Sequence, residues 1–212
     1  MSSVTRQLAQ REAPTLETEP LPAGRRPILH HVQLKTNRLE EMIEWYSDVI
    51  GLTISYRGSG AAWLTNDESN HRLALLSTPK LTDDPKKIDH IGLHHTGWEF
   101  PHLDDLLATY ARLRDRGELP HRTVNHGVTT SFYYTDPDGN SVELQVDNFA
   151  DWRESVHFFT GDEFASDPFG PGVNPEALIA QREAGVEPRE LAIRSRAGEF
   201  PEVIPNDRRI PL

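Results

Sequence analysis

Met42, Ile43, Tyr46 and Ile50 recur at helical spacing, so a helix is expected from Leu39 to Val49, with Asn37 as its N-cap and Gly51 as its stop. A second helix is expected from Leu103 to Arg116, closed by Gly117. Apolar and polar residues alternate on either side of these helices. Strands are expected over Leu29 to Lys35, Thr53 to Arg57, Ala61 to Leu64 and His71 to Ser77, then over Ile91 to Phe100, Thr130 to Thr135 and Ser141 to Val146. The turns between them are marked by residues 58–60, 66–70 and 136–140, all rich in Gly, Asn, Asp or Ser.

The two halves of this pattern are copies. Leu29-His30-His31 and Leu93-His94-His95 lie 64 residues apart, and the helix starts at Leu39 and Leu103 keep the same offset. Such a repeat indicates two βαβββ modules, about 27–80 and 88–148, within one α+β domain spanning 25–148. Residues 1–24 are polar and Pro-bearing, and are expected to form a flexible arm. Beyond 148 the pattern changes to Pro, Gly and acidic residues with one helix expected near Pro175 to Ala184, so 149–212 reads as an extension over the module or a subunit contact.

Composition narrows the chemistry. The net charge of −11 at pH 7 argues against nucleic acid or an anionic membrane as partner. No apolar run approaches a membrane span and no secretory signal pattern is present, so the expectation is a cytoplasmic protein. With no cysteine and ten histidines, any metal must be held by His, Asp, Glu or water. Strand alternation puts His31, Gln33 and Lys35 on one face, His95, Gly97 and Glu99 on one face, and Ser141, Glu143 and Gln145 on one face, each opposite the helix-packing side. By the same parity His30 and His94 point the other way. Two histidines placed alike in paired repeats, with Glu143 as a third ligand, suit a redox iron.

The segments L-H-H-V-Q-L-K-T, G-L-H-H-T-G-W-E-F-P-H-L-D-D-L and N-H-G-V-T-T-S-F-Y-Y-T-D-P-D-G-N-S-V-E-L resemble the vicinal oxygen chelate superfamily (glyoxalase, bleomycin resistance and dioxygenase proteins), and within it the single-domain type I extradiol catechol dioxygenases. The likeness covers about residues 27 to 148. It implies paired βαβββ modules forming a metal-centred, partly closed mixed sheet, with His31, His95 and Glu143 as a facial triad. It also implies Fe(II), with Mn(II) as the competing ion, and cleavage of a vicinal aromatic diol with both atoms of O2 entering the product. His90 competes with His95 for the ligand role. His95 is preferred because it precedes Leu103 by eight residues, as His31 precedes Leu39, whereas His90 precedes it by thirteen.

Three further residues take roles from the resemblance. His71 is the expected acid/base near bound oxygen, Tyr133 the hydrogen-bonding partner of the substrate hydroxyl, and His126 a histidine near the substrate oxygen. Tyr134 is expected in the core, and His102 and His121 at solvent-facing loops or caps. Trp63 and Phe100 fit either pocket or core. Matching Asn70 to Asn140 puts Leu73 at the position of Glu143, where glyoxalase-like relatives commonly supply a fourth ligand, and leucine cannot bind metal. The expected partners are an aromatic diol and O2, and the extension favours a homo-oligomer. The alternatives are a metal-dependent isomerase, epimerase or lyase without O2, and a small-molecule-sequestering resistance protein on the same scaffold.

Overall fold

The computed structural model describes residues 27–149 and 151–203, so the arm over 1–24 lies outside the described residues. The first module runs β1 (Val32–Thr36), α1 (Leu39–Val49), β2 (Thr53–Arg57), β3 (Ala61–Thr65) and β4 (Leu73–Ser77). The second repeats it as β5 (His95–Phe100), α2 (Leu103–Arg114), β6 (Arg122–Asn125), β7 (Thr129–Thr135) and β8 (Ser141–Asp147). Strand order is β1-β4-β3-β2 in one sheet and β5-β8-β7-β6 in the other. In each, the first and last strands of the module pair parallel and the other pairings are antiparallel. The expected single partly closed sheet is therefore two separate four-stranded mixed sheets, with no strand pairing between modules among the described residues.

Each helix covers one sheet face. Leu39, Met42, Ile43, Tyr46 and Val49 are the buried stripe of α1, and Leu34, Ala62, Leu64, Leu73 and Leu75 meet it from β1, β3 and β4. Burying each large aliphatic side chain contributes about 1.5–3 kcal/mol, so this stripe fixes which sheet face is left for chemistry. Gly51, at φ +79, ends α1 as expected. The N-cap differs: it is Arg38, with no side-chain cap, and the Thr36 hydroxyl accepts from the Arg38 amide instead.

The modules share a core. Val142 of β8 belongs to the first module's cluster and Val49 of α1 to the second's, with Trp45, Ile50 and Trp98 packed against both. Tyr46 Oη, fully buried, donates to Asp136 Oδ2 at 3.0 Å, and Arg38 reaches Asp138 at 2.7 Å. The turn that sets the β7–β8 register in one module is thus tied to the helix of the other.

The extension is packed on the second module. It forms α3 (Trp152–Phe158), α4 (Asp162–Ser166), α5 (Pro175–Glu183) and α6 (Pro188–Arg196), of which only α5 was expected. Asn174 caps α5 by accepting from the Glu176 and Ala177 amides. Val173, Leu178, Leu191 and Phe200 join the buried cluster of α2. Residues 171–173 line the free edge of β6, where Asn125 N donates to Pro171 O and Val173 N to Thr123 O. An edge strand left open would invite pairing with another chain, and the extension covers it.

Candidate metal centre

Glu143 sits mid-strand in β8, paired with Gly97 on one side and Tyr133 on the other. The residue is 6% exposed, and its carboxylate is held at both oxygens. Tyr133 Oη donates to Oε1 at 2.7 Å, and His95 Nε2 lies 3.1 Å from Oε2. Burial pushes the carboxyl's pKa up, but hydrogen bonds from His95, Tyr133 and Ser131 outweigh it and hold the group below its ordinary value. A buried, ionised carboxylate beside an imidazole nitrogen is a donor pair that a divalent cation fits. Gly97 makes room for it: a Cβ there would stand 3.2 Å from Glu143 Oε2.

Behind the carboxylate lies a second histidine. His126 Nε2 is 2.9 Å from Tyr133 Oη, and burial lowers the pKa of His126 and raises that of Tyr133. The chain His126, Tyr133, Glu143, His95 is therefore continuous through side-chain contacts. His121, expected at a solvent-facing loop, is half buried, with Nε2 3.3 Å from Ser141 Oγ and its ring 6.1 Å from that of Tyr133.

His31 stands in a different group. Its ring is 4.5 Å from that of His71 and 5.4 Å from that of His30, and no hydrogen bond or ring contact joins it to His95 or Glu143. Among the described residues the only three histidine or acidic side chains with ligand atoms all within 4.8 Å of one another are His30, His31 and His71. The structure thus brings together His95, Glu143, Tyr133 and His126, and separately His31 and His71. Burial, then the neighbouring His31 and His30, lower the pKa of His71. Trp63 borders this second group, its ring 6.2 Å from His71.

Several parity expectations change. His30 and His94 turn toward their neighbours, with Nδ1 to Nδ1 distances of 3.1 Å to His31 and 2.6 Å to His95, because strand pairing begins only at Val32 and His95 and strict alternation does not extend into the lead-ins before them. His90 stands with Asp84, 2.7 Å away, beside neither group. Leu73 is not the counterpart of Glu143. In the parallel pairing Val32 opposes Leu73 as Thr96 opposes Val142, and Gln33 opposes Ala74 as Gly97 opposes Glu143. Leu73 is core, and Ala74 occupies the carboxylate's place, one residue later than the match of Asn70 to Asn140 put it, the connection before β4 (66–72) being longer than the one before β8 (136–140). Alanine also lacks a donor, so the first module still supplies no carboxylate.

Ser131 and Ala74 escaped the reading of the chain. Ser131 precedes Tyr133 by two residues on the same strand, and that shared parity was the available signal. A cavity of about 600 Å³ adjoins the ends of β5 and β8, lined by Ile88, Ile91, Leu93, His94, His121 and Ser141 among others. Its size suits a small organic molecule.

The chain is similar to proteins of known name. A model of the family described as Glyoxalase/Bleomycin resistance protein/Dioxygenase superfamily matches residues 28–144. Biphenyl-2,3-diol 1,2-dioxygenase 3 of Rhodococcus globerulus is 46% identical over 171 residues, covering 81% of this chain and 90% of that protein. Biphenyl-2,3-diol 1,2-dioxygenase 2 of the same organism is 38% identical over 180 residues, covering 85% and 94%. Among solved structures, a glyoxylase/bleomycin resistance protein/dioxygenase domain from Frankia sp. EAN1pec superposes with a TM-score of 0.50 at 16% identity, covering 62% of this chain and 98% of that one, a likeness of fold alone. With the family model spanning more than half of the chain and a relative at 46% identity, the chain belongs to the Glyoxalase/Bleomycin resistance protein/Dioxygenase superfamily.

Proposed function

We propose that this protein is an extradiol dioxygenase: it cleaves the ring of a vicinal aromatic diol beside the hydroxylated carbons and places both atoms of O2 in the product. The observation that carries this reading is the buried, ionised Glu143 beside His95 with alanine at the matching position of the first module. One carboxylate and imidazoles make a donor set with coordination positions left over for a bidentate diol and for O2, whereas a second carboxylate would close one of them. The names of the two Rhodococcus relatives support the same chemistry.

The metal ligands in this reading are His95 and Glu143, which already meet, and His31, which must turn to them from its place beside His71, and the ion is Fe(II) in preference to Mn(II). When bound, the ion supplies the electronic coupling between the diol and O2. The residues do the rest. Tyr133 and Ser131 orient the carboxylate through its hydrogen bonds and keep it ionised although buried. His126 holds the Tyr133 hydroxyl from the far side, so the phenol is fixed at both its donor and acceptor functions. His71 is neutral at its lowered pKa, which fits it to take a proton from the substrate hydroxyl and return it during ring opening. The soluble partners are thus the diol and O2, and self-association into a homo-oligomer is part of the same proposal. No helix of the described residues is long and apolar enough to cross a membrane, and action in the cytoplasm completes the reading.

Anaerobic loading with Fe(II), followed by oxygen-electrode traces with a panel of catechols including biphenyl-2,3-diol, tests it. Oxygen consumption with a yellow ring-opened product is expected. Metal uptake without any oxygen consumption across the panel would refute it in favour of a non-oxidative isomerase or lyase.

A further inference from the structure

Three imidazoles meet at the start of β1, apart from the pair formed by His95 and Glu143. The ligand nitrogens of His30, His31 and His71 lie within 4.8 Å of one another. His30 Nδ1 and His31 Nδ1 are 3.1 Å apart, and the His71 ring is 5.0 Å from the His30 ring and 4.5 Å from the His31 ring. Two nitrogens bound to one tetrahedral zinc at ~2.05 Å stand about 3.3 Å apart, so this pair already sits close to an edge of such a polyhedron. His71 Nδ1 lies 2.7 Å from Asn70 Oδ1. An amide oxygen there accepts the Nδ1 proton, fixes the tautomer, and leaves the Nε2 lone pair for an ion, as the outer partners of ligating histidines do.

None of the three donors is a carboxylate. An all-imidazole set favours zinc, copper or nickel over the hard cations that seek oxygen. His30 and His31 are exposed and His71 is half buried, so water has access to complete the coordination.

We propose that His30, His31 and His71 form a second metal site, for a borderline divalent ion such as zinc, and that an ion held there keeps His31 from joining His95 and Glu143 and so silences the enzyme. The silencing rests on the reading of His31 as a ligand of the catalytic metal; the zinc site does not. A His31 ring clamped between His30 and His71 is not free to turn toward the second module, so zinc and the catalytic metal compete for one side chain.

The test uses the full chain and zinc itself. Zinc affinity is measured by equilibrium dialysis on metal-free Glu143→Ala, which removes the carboxylate of the triad, and on Glu143→Ala carrying His30→Ala as well. His30 is exposed, and melting temperatures confirm that each variant is folded. Zinc binding by Glu143→Ala, weakened at least about tenfold by His30→Ala, is the expected result, since loss of a direct ligand should cost no less than loss of an outer partner. Equal zinc affinity in the two proteins overturns the site. In the second arm, zinc inhibition of iron-dependent turnover is compared between the parent and His30→Ala, with a comparable rise in the inhibitory zinc concentration expected. Weakened zinc binding with undiminished inhibition overturns the silencing. Glu143→Ala that retains catalytic iron refutes the triad and leaves the zinc result standing.

Discussion

Gly97→Ala probes the crowding around the carboxylate. A methyl group at Gly97 would stand 3.2 Å from Glu143 Oε2, tighter than ordinary van der Waals contact, so the oxygen must retreat by a few tenths of an ångström. It has nowhere neutral to go, because Oε1 is held by Tyr133 at 2.7 Å and Oε2 faces His95 at 3.1 Å. Displacement lengthens one of these contacts and tilts a ligand that the metal needs aligned. Disturbing such alignment costs roughly 10–100-fold in metal affinity, or about 1.4–2.7 kcal/mol. Stability should not fall, since glycine inside a strand is itself about 0.5–1 kcal/mol worse than alanine. The assay is anaerobic competition for Fe(II) against a coloured chelator, with melting temperature as the check on folding. Gly92→Ala, where a Cβ meets nothing within 4 Å, is the control. Parent-like iron affinity in Gly97→Ala, or equal weakening in both variants, would refute the argument.

Other perturbations separate the roles further. His71→Gln is expected to keep iron and lose roughly 10²–10⁴-fold in kcat, and a parent rate in a folded, iron-replete variant would remove the acid/base role. Ala74→Glu, at the true counterpart of Glu143, is expected to retain metal while oxygen-dependent turnover collapses, and metal analysis with oxygen uptake on one sample decides it. Tyr46→Phe removes a buried donor to Asp136 and should cost about 1.5–3 kcal/mol near neutral pH in denaturant melts. Burial already raises the pKa of Asp136, and losing the Tyr46 hydroxyl raises it further. The penalty therefore exists only while the carboxylate is charged and shrinks as pH falls through its folded pKa, so a loss that is constant into acid would contradict this origin.

The helices were legible because their stripes are long: α1 has the expected bounds, and α2 starts where expected and ends two residues early. The lead-ins were less so. Leu29 to His31 and Ile91 to His94 look like strand, yet Ile28, Leu29, Ile91 and Leu93 are exposed and unpaired, since β4 and β8 are too short to pair with them. That shortening is why parity misplaced His30 and His94. Strand β6 passed unseen because Arg122–Asn125 has only four residues and takes its support from residues 171–173, far along the chain. The residue types of the site were visible in the repeat, whereas the pairing of Gly97 with Glu143, which makes Ala74 the counterpart, needed the sheet register.

The central claim is that both atoms of O2 end in the ring-opened product. Turnover of biphenyl-2,3-diol by the Fe(II)-loaded protein under ¹⁸O2, with mass spectrometry of the product, tests it most directly. Incorporation of two labelled atoms in one product molecule is predicted, less any label washed out by carbonyl exchange with water in a parallel control. A product carrying no label, or turnover that proceeds equally well without O2, would contradict it.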